Sequence, residues 1–175
     1  YDSFKRNGVD FFTGVPDSLL KDFCSYVSDN SSTENHIISA NEGGAIALAM
    51  GHYLATSKVP LVYMQNSGFG NIINPLLSLA DRKVYSIPML LIIGWRGEPG
   101  VKDEPQHVKQ GEVSETLLKT LDIPYLIISD KTENIDKVIS GAIMKAKQNN
   151  EPFAILVRKG TFEPYVLKNK IVTNF

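Results

Sequence analysis

Cysteine is almost missing from this chain. Cys24 stands alone among 175 residues, which excludes an internal disulfide and any all-cysteine metal site. It lies in the apolar stretch Leu19-Leu20-Lys21-Asp22-Phe23-Cys24, where a buried structural thiol is the expected role. Such sparing use of cysteine fits a reducing, cytoplasmic compartment. Long hydrophobic runs are missing too. The run over 87–94 falls far short of the ~20 residues of a membrane-spanning helix, so no membrane partner is expected. Nor does one sign of charge dominate. With 18 basic and 19 acidic residues the formal charge is -1, which excludes the basic field that draws a protein to nucleic acid. Attraction for an anionic ligand must therefore be local. The chain opens at Tyr1 with neither Met nor a charged-then-apolar leader, from which a piece of a longer protein is expected.

What is present is the makings of one α/β domain. Hydrophobic residues make up 43% and charged residues 21%, ordinary for a globular protein, and the length suits a single core. Strand signals over 10–13, 36–40, 60–65, 87–94, 125–129 and 153–157 alternate with helical ones. The helical segments are one opening at Pro16, then 42–56, 70–80, 113–121 and 134–147. Strands separated by helices of this length imply right-handed crossovers. The expected fold is a three-layer α/β/α sandwich around a mainly parallel sheet of about six strands. Its domain spans 1–160, and the polar, loosely patterned 161–175 reads as the start of a linker. Ligands of such sheets bind beyond the carboxyl ends of the strands, so the loops opening at Gly14, Ala40, Gln65 and Gly94 hold the candidate site.

Glu42 stands at the head of the helix Asn41-Glu42-Gly43-Gly44-Ala45-Ile46-Ala47-Leu48-Ala49-Met50-Gly51. Asn41 suits an N-cap, and an acid in the first turn is favoured by the helix dipole alone. Yet a glycine inside a helix costs up to about 1 kcal/mol against alanine. Several of them imply close approach by another backbone or a flat ligand. A carboxylate buried there needs a hydrogen-bonding partner. Gln65-Asn66-Ser67-Gly68-Phe69-Gly70-Asn71 could be a turn and cap, and it lacks the lysine and spacing of a Walker loop. Asp17, after Pro16, reads as a helix cap. The polar stretch 95–107 is unusually long for a loop and reads as functional. His52 falls mid-helix and reads as structural, His36 as exposed. No His/Asp/Glu cluster has metal-ligand spacing.

Four segments in order, Gly14-Val15-Pro16-Asp17-Ser18, Asn41-Glu42-Gly43, Gln65 to Asn71 and Glu104-Pro105-Gln106-His107, resemble the phosphonopyruvate decarboxylases. The sulfopyruvate decarboxylases share parts of the pattern. The resemblance is to the pyrimidine-binding half of thiamine-diphosphate enzymes and covers essentially the whole chain. It implies that Glu42 hydrogen-bonds N1′ of the aminopyrimidine and so promotes loss of the thiazolium C2 proton. It places Gln65, Asn66, Ser67 and Gly68 as a wall of the cofactor site, and Asp17 beside the substrate. A phosphonate head needs cationic and N–H donors, which Arg96, Lys102, Gln106 and Lys109 would supply. His107 becomes the general-acid candidate, since imidazole exchanges protons near neutrality. Such enzymes hold the diphosphate through Mg²⁺ on a Gly-Asp-Gly segment, and this sequence contains none. The resemblance therefore implies a partner: a diphosphate-binding domain in the same protein or another subunit, in a homo-oligomer. The chain alone is expected to be inactive on its small anionic 2-oxo acid substrate. A sulfopyruvate decarboxylase subunit and a non-catalytic α/β binding module are the alternatives.

Overall fold

β-branched and aliphatic runs supply six short strands in the computed structural model, which describes residues 1–168. They are β1 Phe12–Gly14, β2 His36–Ile38, β3 Leu61–Gln65, β4 Met89–Gly94, β5 Tyr125–Ile128 and β6 Pro152–Val157. Every pairing is parallel, in the order β2-β1-β3-β4-β6-β5. The helices are α1 Asp2–Arg6, α2 Lys21–Asn30, α3 Glu42–Thr56, α4 Phe69–Pro75, α5 Pro105–Thr120 and α6 Ile135–Asn149.

The strand period of two divides the core. Leu61, Tyr63, Leu90, Ile92, Phe153 and Ile155 face one way, onto Phe23 and Val27 of α2 and Ile139 and Ile143 of α6. Val62, Met64, Met89, Leu91, Ile93 and Leu156 face the other way, onto Ile46 and Met50 of α3, Ile72 of α4 and Leu118 of α5. Three layers follow, with β4 and β6 buried along their whole length, as a doubly covered parallel sheet requires. The chain leaves β1 for a helix on one face and β3 for a helix on the other. A crevice therefore opens between their carboxyl ends.

Several elements differ from the sequence expectation. α2 starts at Lys21, not at Pro16. The Leu19 N–H donates to Asp17 Oδ2 at 3.1 Å, a local turn that competes with helix. α5 starts at Pro105, so Gln106, His107 and Lys109 lie on a helix and the loop is shorter than 95–107. Beyond Pro75, which lacks an N–H, α4 widens into a π-type turn over Leu76–Ala80. His36 is half-buried rather than exposed, its Nε2 2.8 Å from the Tyr63 hydroxyl. The Cys24 thiol is buried, and burial pushes it up to about 12, so it is inert packing.

Of the expected linker, 161–168 lies over α2. Phe162 stacks on Phe23 with centroids 5.5 Å apart, and the Tyr165 N–H donates to Asp22 Oδ1 at 2.9 Å. Residues 169–175 fall outside the described residues. Among the described residues no helix is long and apolar enough to cross a membrane.

Candidate active site

α3 begins as its sequence dictates. Asn41 is extended, and its Oδ1 accepts the Gly44 N–H at 2.8 Å, capping the helix. The next residue, Glu42, is thereby fixed at the positive end of the helix dipole. Its Oε2 accepts from Asn71 Nδ2 at 2.6 Å. Its other oxygen, Oε1, lies beside Gly68 and takes no hydrogen bond among the described residues. Two glycines make this meeting possible. A Cβ on Gly68 would sit 2.6 Å from Glu42 Cγ, and one on Gly43 would sit 2.9 Å from the Asn71 carbonyl oxygen. Glycine is required here for close approach of α3 to α4.

From Ser67, next to Gly68, a line of hydrogen bonds runs along the carboxyl edge of the sheet. Ser67 Oγ donates to Gln65 Oε1 at 2.7 Å, and Gln65 Nε2 donates to Asp17 Oδ1 at 2.7 Å. Asp17 is 6% exposed, so its carboxylate depends on these donors and on the Leu19 N–H.

Asn66 is wholly buried and serves a different purpose. It donates to the Arg96 carbonyl at 2.7 Å and to Ser114 Oγ at 3.0 Å, and it accepts the Arg96 N–H at 3.2 Å. One amide thus ties the end of β3 to the loop after β4 and to α5. In this arrangement Asn66 positions Arg96.

Arg96 is held in turn by Asp103. Nε donates to Oδ2 at 2.8 Å and Nη2 to Oδ1, a bidentate pair, while Nη1 donates to Ser18 Oγ at 2.7 Å. Asp103 also accepts the Gly97 and Glu104 N–H groups, each at 2.8 Å. The Arg96 guanidinium and these donors hold its carboxyl well below the usual carboxylate range. His107 Nδ1 is 3.1 Å from Asp103 Oδ1. A carboxylate can only accept, so Nδ1 carries the proton and Nε2 is left for exchange.

The structure therefore joins most of the residues singled out in the sequence into two groups. Glu42, Gly68, Ser67, Gln65 and Asp17 form one, and Arg96 with His107 the other. Lys102, Gln106 and Lys109 are exposed, and Lys109 pairs with Glu112 at 3.1 Å. Sequence reasoning missed Asn71, Asp103 and Ser18, although Asn71 and Ser18 stand inside quoted motifs. Among the described residues no group of three His, Cys, Asp or Glu side chains could hold a metal ion.

Comparison with known proteins bears on the family and the fold. Residues 1–118 match the family described as thiamine pyrophosphate enzyme, N-terminal TPP binding domain; thiamine pyrophosphate is thiamine diphosphate under another name. A sulfopyruvate decarboxylase α subunit from Methanococcus maripaludis is 39% identical over 158 residues, 90% of each chain. A phosphonopyruvate decarboxylase from Streptomyces viridochromogenes is 33% identical over 153 residues, 87% of this chain but 38% of that one. The fold is shared with a thiamine-diphosphate-dependent 4-hydroxybenzoylformate decarboxylase from Rhodococcus jostii. The TM-score is 0.63 at 20% identity, over 99% of this chain and 33% of that one.

Proposed function

The chain belongs to the thiamine pyrophosphate enzymes as their N-terminal, cofactor-binding domain, and from that premise we propose that it is the pyrimidine-binding half of a 2-oxo acid decarboxylase. Its substrate is a three-carbon 2-oxo acid with a phosphonate or sulfonate head. The motifs read as phosphonopyruvate going to phosphonoacetaldehyde and carbon dioxide. A sulfopyruvate-cleaving subunit is the second reading, favoured by the match to an α subunit over 90% of both chains.

The observation that carries the proposal is Glu42. Its Oε2 is held by Asn71, and its Oε1 is without a hydrogen bond among the described residues, at a helix N-terminus beyond the carboxyl end of a parallel sheet. That is the group an aminopyrimidine N1′ requires: a fixed carboxylate with one oxygen to share. The residues present thus fit the cofactor, which when bound supplies the electron sink for decarboxylation. Glu42 would hold the proton shared with N1′. Asp17, fixed by Gln65, flanks the crevice. His107, fixed by Asp103, exchanges a proton at Nε2. The diphosphate and Mg²⁺ belong to a Gly-Asp-Gly domain supplied by another part of the protein or by a partner subunit.

In the assembled enzyme, Glu42→Gln keeps the size and removes the charge. Decarboxylation is expected to fall at least about a hundredfold, the scale of a lost proton-transfer group, with an unchanged circular dichroism spectrum. Turnover above a few per cent of the parent rate would refute the role of Glu42. Parallel assays with phosphonopyruvate and sulfopyruvate decide the head group.

A further inference from the structure

A cleft of about 400 Å³ opens against Arg96 of the second group of site residues, between the segments that follow β1, β4 and β6. Ser18, Lys21, Asp22, Arg96 and Lys159 line it. We propose that this cleft, and not the exposed Lys102 and Lys109, holds the anionic head of the substrate. The inference rests on the decarboxylase reading and deepens it by naming the residues that select a phosphonate or sulfonate.

Charge is the first argument. Lys21, Arg96 and Lys159 meet Asp22, whose Oδ1 already accepts the Tyr165 N–H at 2.9 Å, and Arg96 is already paired with Asp103, so the unmatched positive charge is that of the two lysines. In a chain of net charge -1 this is a local excess of positive charge. Lys21 and Lys159 pair with no carboxylate among the described residues. Lys109, by contrast, already has Glu112.

Lys21 supplies the second argument. It is the first residue of α2, where the helix dipole disfavours a cation, and the N-cap residue Leu20 gives no side-chain cap. Asp22 in the first turn offsets part of this, and an anion between the lysine and the uncapped helix end would satisfy the rest.

Arg96 is the third. Asp103 locks its orientation, and Nη1 and Nη2 each keep a second N–H with no acceptor among the described residues. A tetrahedral head with several acceptor oxygens suits such a rigid donor flanked by two flexible ammonium groups. The cleft also lies where the chemistry needs it. Ser18 directly follows Asp17, so the head would sit beside the hydrogen-bonded line of Asp17, Gln65 and Ser67.

The test uses Lys21→Ala, Lys159→Ala and the double variant in the assembled decarboxylase, with Lys137→Ala on α6 as a charge-matched control. Each single change is expected to raise KM for the preferred substrate at least about tenfold, the scale of one charged hydrogen bond, with kcat within about threefold. In a separate arm, methylphosphonate and methanesulfonate are titrated into the 175-residue chain and followed by NMR of the lysine ammonium groups. Binding by the parent chain and its loss in Lys159→Ala are expected. If both substrates are turned over yet KM stays within twofold in every variant, the cleft is not the head site. If neither is decarboxylated but probe binding depends on Lys21 and Lys159, the cleft stands and the proposed reaction falls. Probe binding unchanged in the double variant overturns the cleft in either case.

Discussion

His36 opens the edge strand β2 with its ring between the Ser28 hydroxyl, at 3.5 Å from Nδ1, and the Tyr63 hydroxyl, at 2.8 Å from Nε2. Burial lowers its pKa from the ordinary value, and burial does the same to His52 despite the nearby Asp10. An unfolded chain takes up these protons near pH 6.5, whereas the folded chain resists them. Stability is therefore complete above about pH 6.5 and falls as pH drops from there towards the lowered folded values. Thermal melts between pH 7.5 and 5.5 should show this decline, and the His36→Gln/His52→Gln pair should flatten it. An unchanged slope would mean that other groups titrate there, since Asp103 is held low and responds only in stronger acid. The place of single residues beyond the carboxyl ends of the strands was legible in sequence when their type and a motif agreed, as for Glu42, Gln65 and Ser67. Asn71 was not singled out, because its role depends on two helices meeting across Gly43 and Gly68. Lys159 carries no local signal; only the sheet order brings it beside Arg96.

At the scale of elements, the most informative difference is the start of α5. Gln106, His107, Lys109, Gln110 and Glu112 show no apolar period, and Gly111 interrupts them, so the sequence predicts a helix only from 113. Pro105 in the first turn sets the actual start. Gly111 is needed because the loop backbone lies directly on the helix there. A Cβ would stand 1.6 Å from the Gly97 carbonyl oxygen, and the Trp95 indole donates to the Gly111 carbonyl at 3.0 Å. Helix propensity favours Gly111→Ala by about 1 kcal/mol. Overpacking against backbone opposes it by about 1–3 kcal/mol, and this contact, closer than a covalently unbonded pair tolerates, belongs at the upper end. The clash wins. Gly111→Ala should lower Tm by several degrees and, by moving the Arg96 loop, weaken substrate binding. Gly141→Ala on α6, where an added methyl meets nothing within 4 Å, should leave Tm unchanged or raise it. A Tm for Gly111→Ala at or above the parent would show that the loop yields freely. The strand pattern, by contrast, needed no such contact to be read, since apolar runs bounded by turns gave all six strands to within a few residues.

At the scale of the molecule, four of the exposed apolar residues lie on two adjoining elements, while others, Met144 on α6 and Val166 among them, lie apart. Leu48 and Leu54 stand on the outer face of α3, the latter 65% exposed, and Leu77 and Leu79 on the turn that continues α4, with Tyr85 just beyond at 62%. Gly44, Ala47, Gly51 and Ala55 complete an α3 surface with small side chains, over which another chain can approach closely. A face of this kind on a domain that also carries half a cofactor site is best explained by a cover in the assembled protein. The purified chain is therefore expected to sediment above its 19.4 kDa monomer mass. It should show no decarboxylation until a Gly-Asp-Gly domain is added. Leu54→Glu places a charge in the middle of that face without touching the core, so the fold and its Tm should persist while sedimentation shifts towards the monomer. Activity of the mixture should fall with assembly and return at higher protein concentration, which separates a lost contact from a damaged site. Full activity of the isolated chain, or assembly unaffected by Leu54→Glu, would place the missing half of the site elsewhere than on this face.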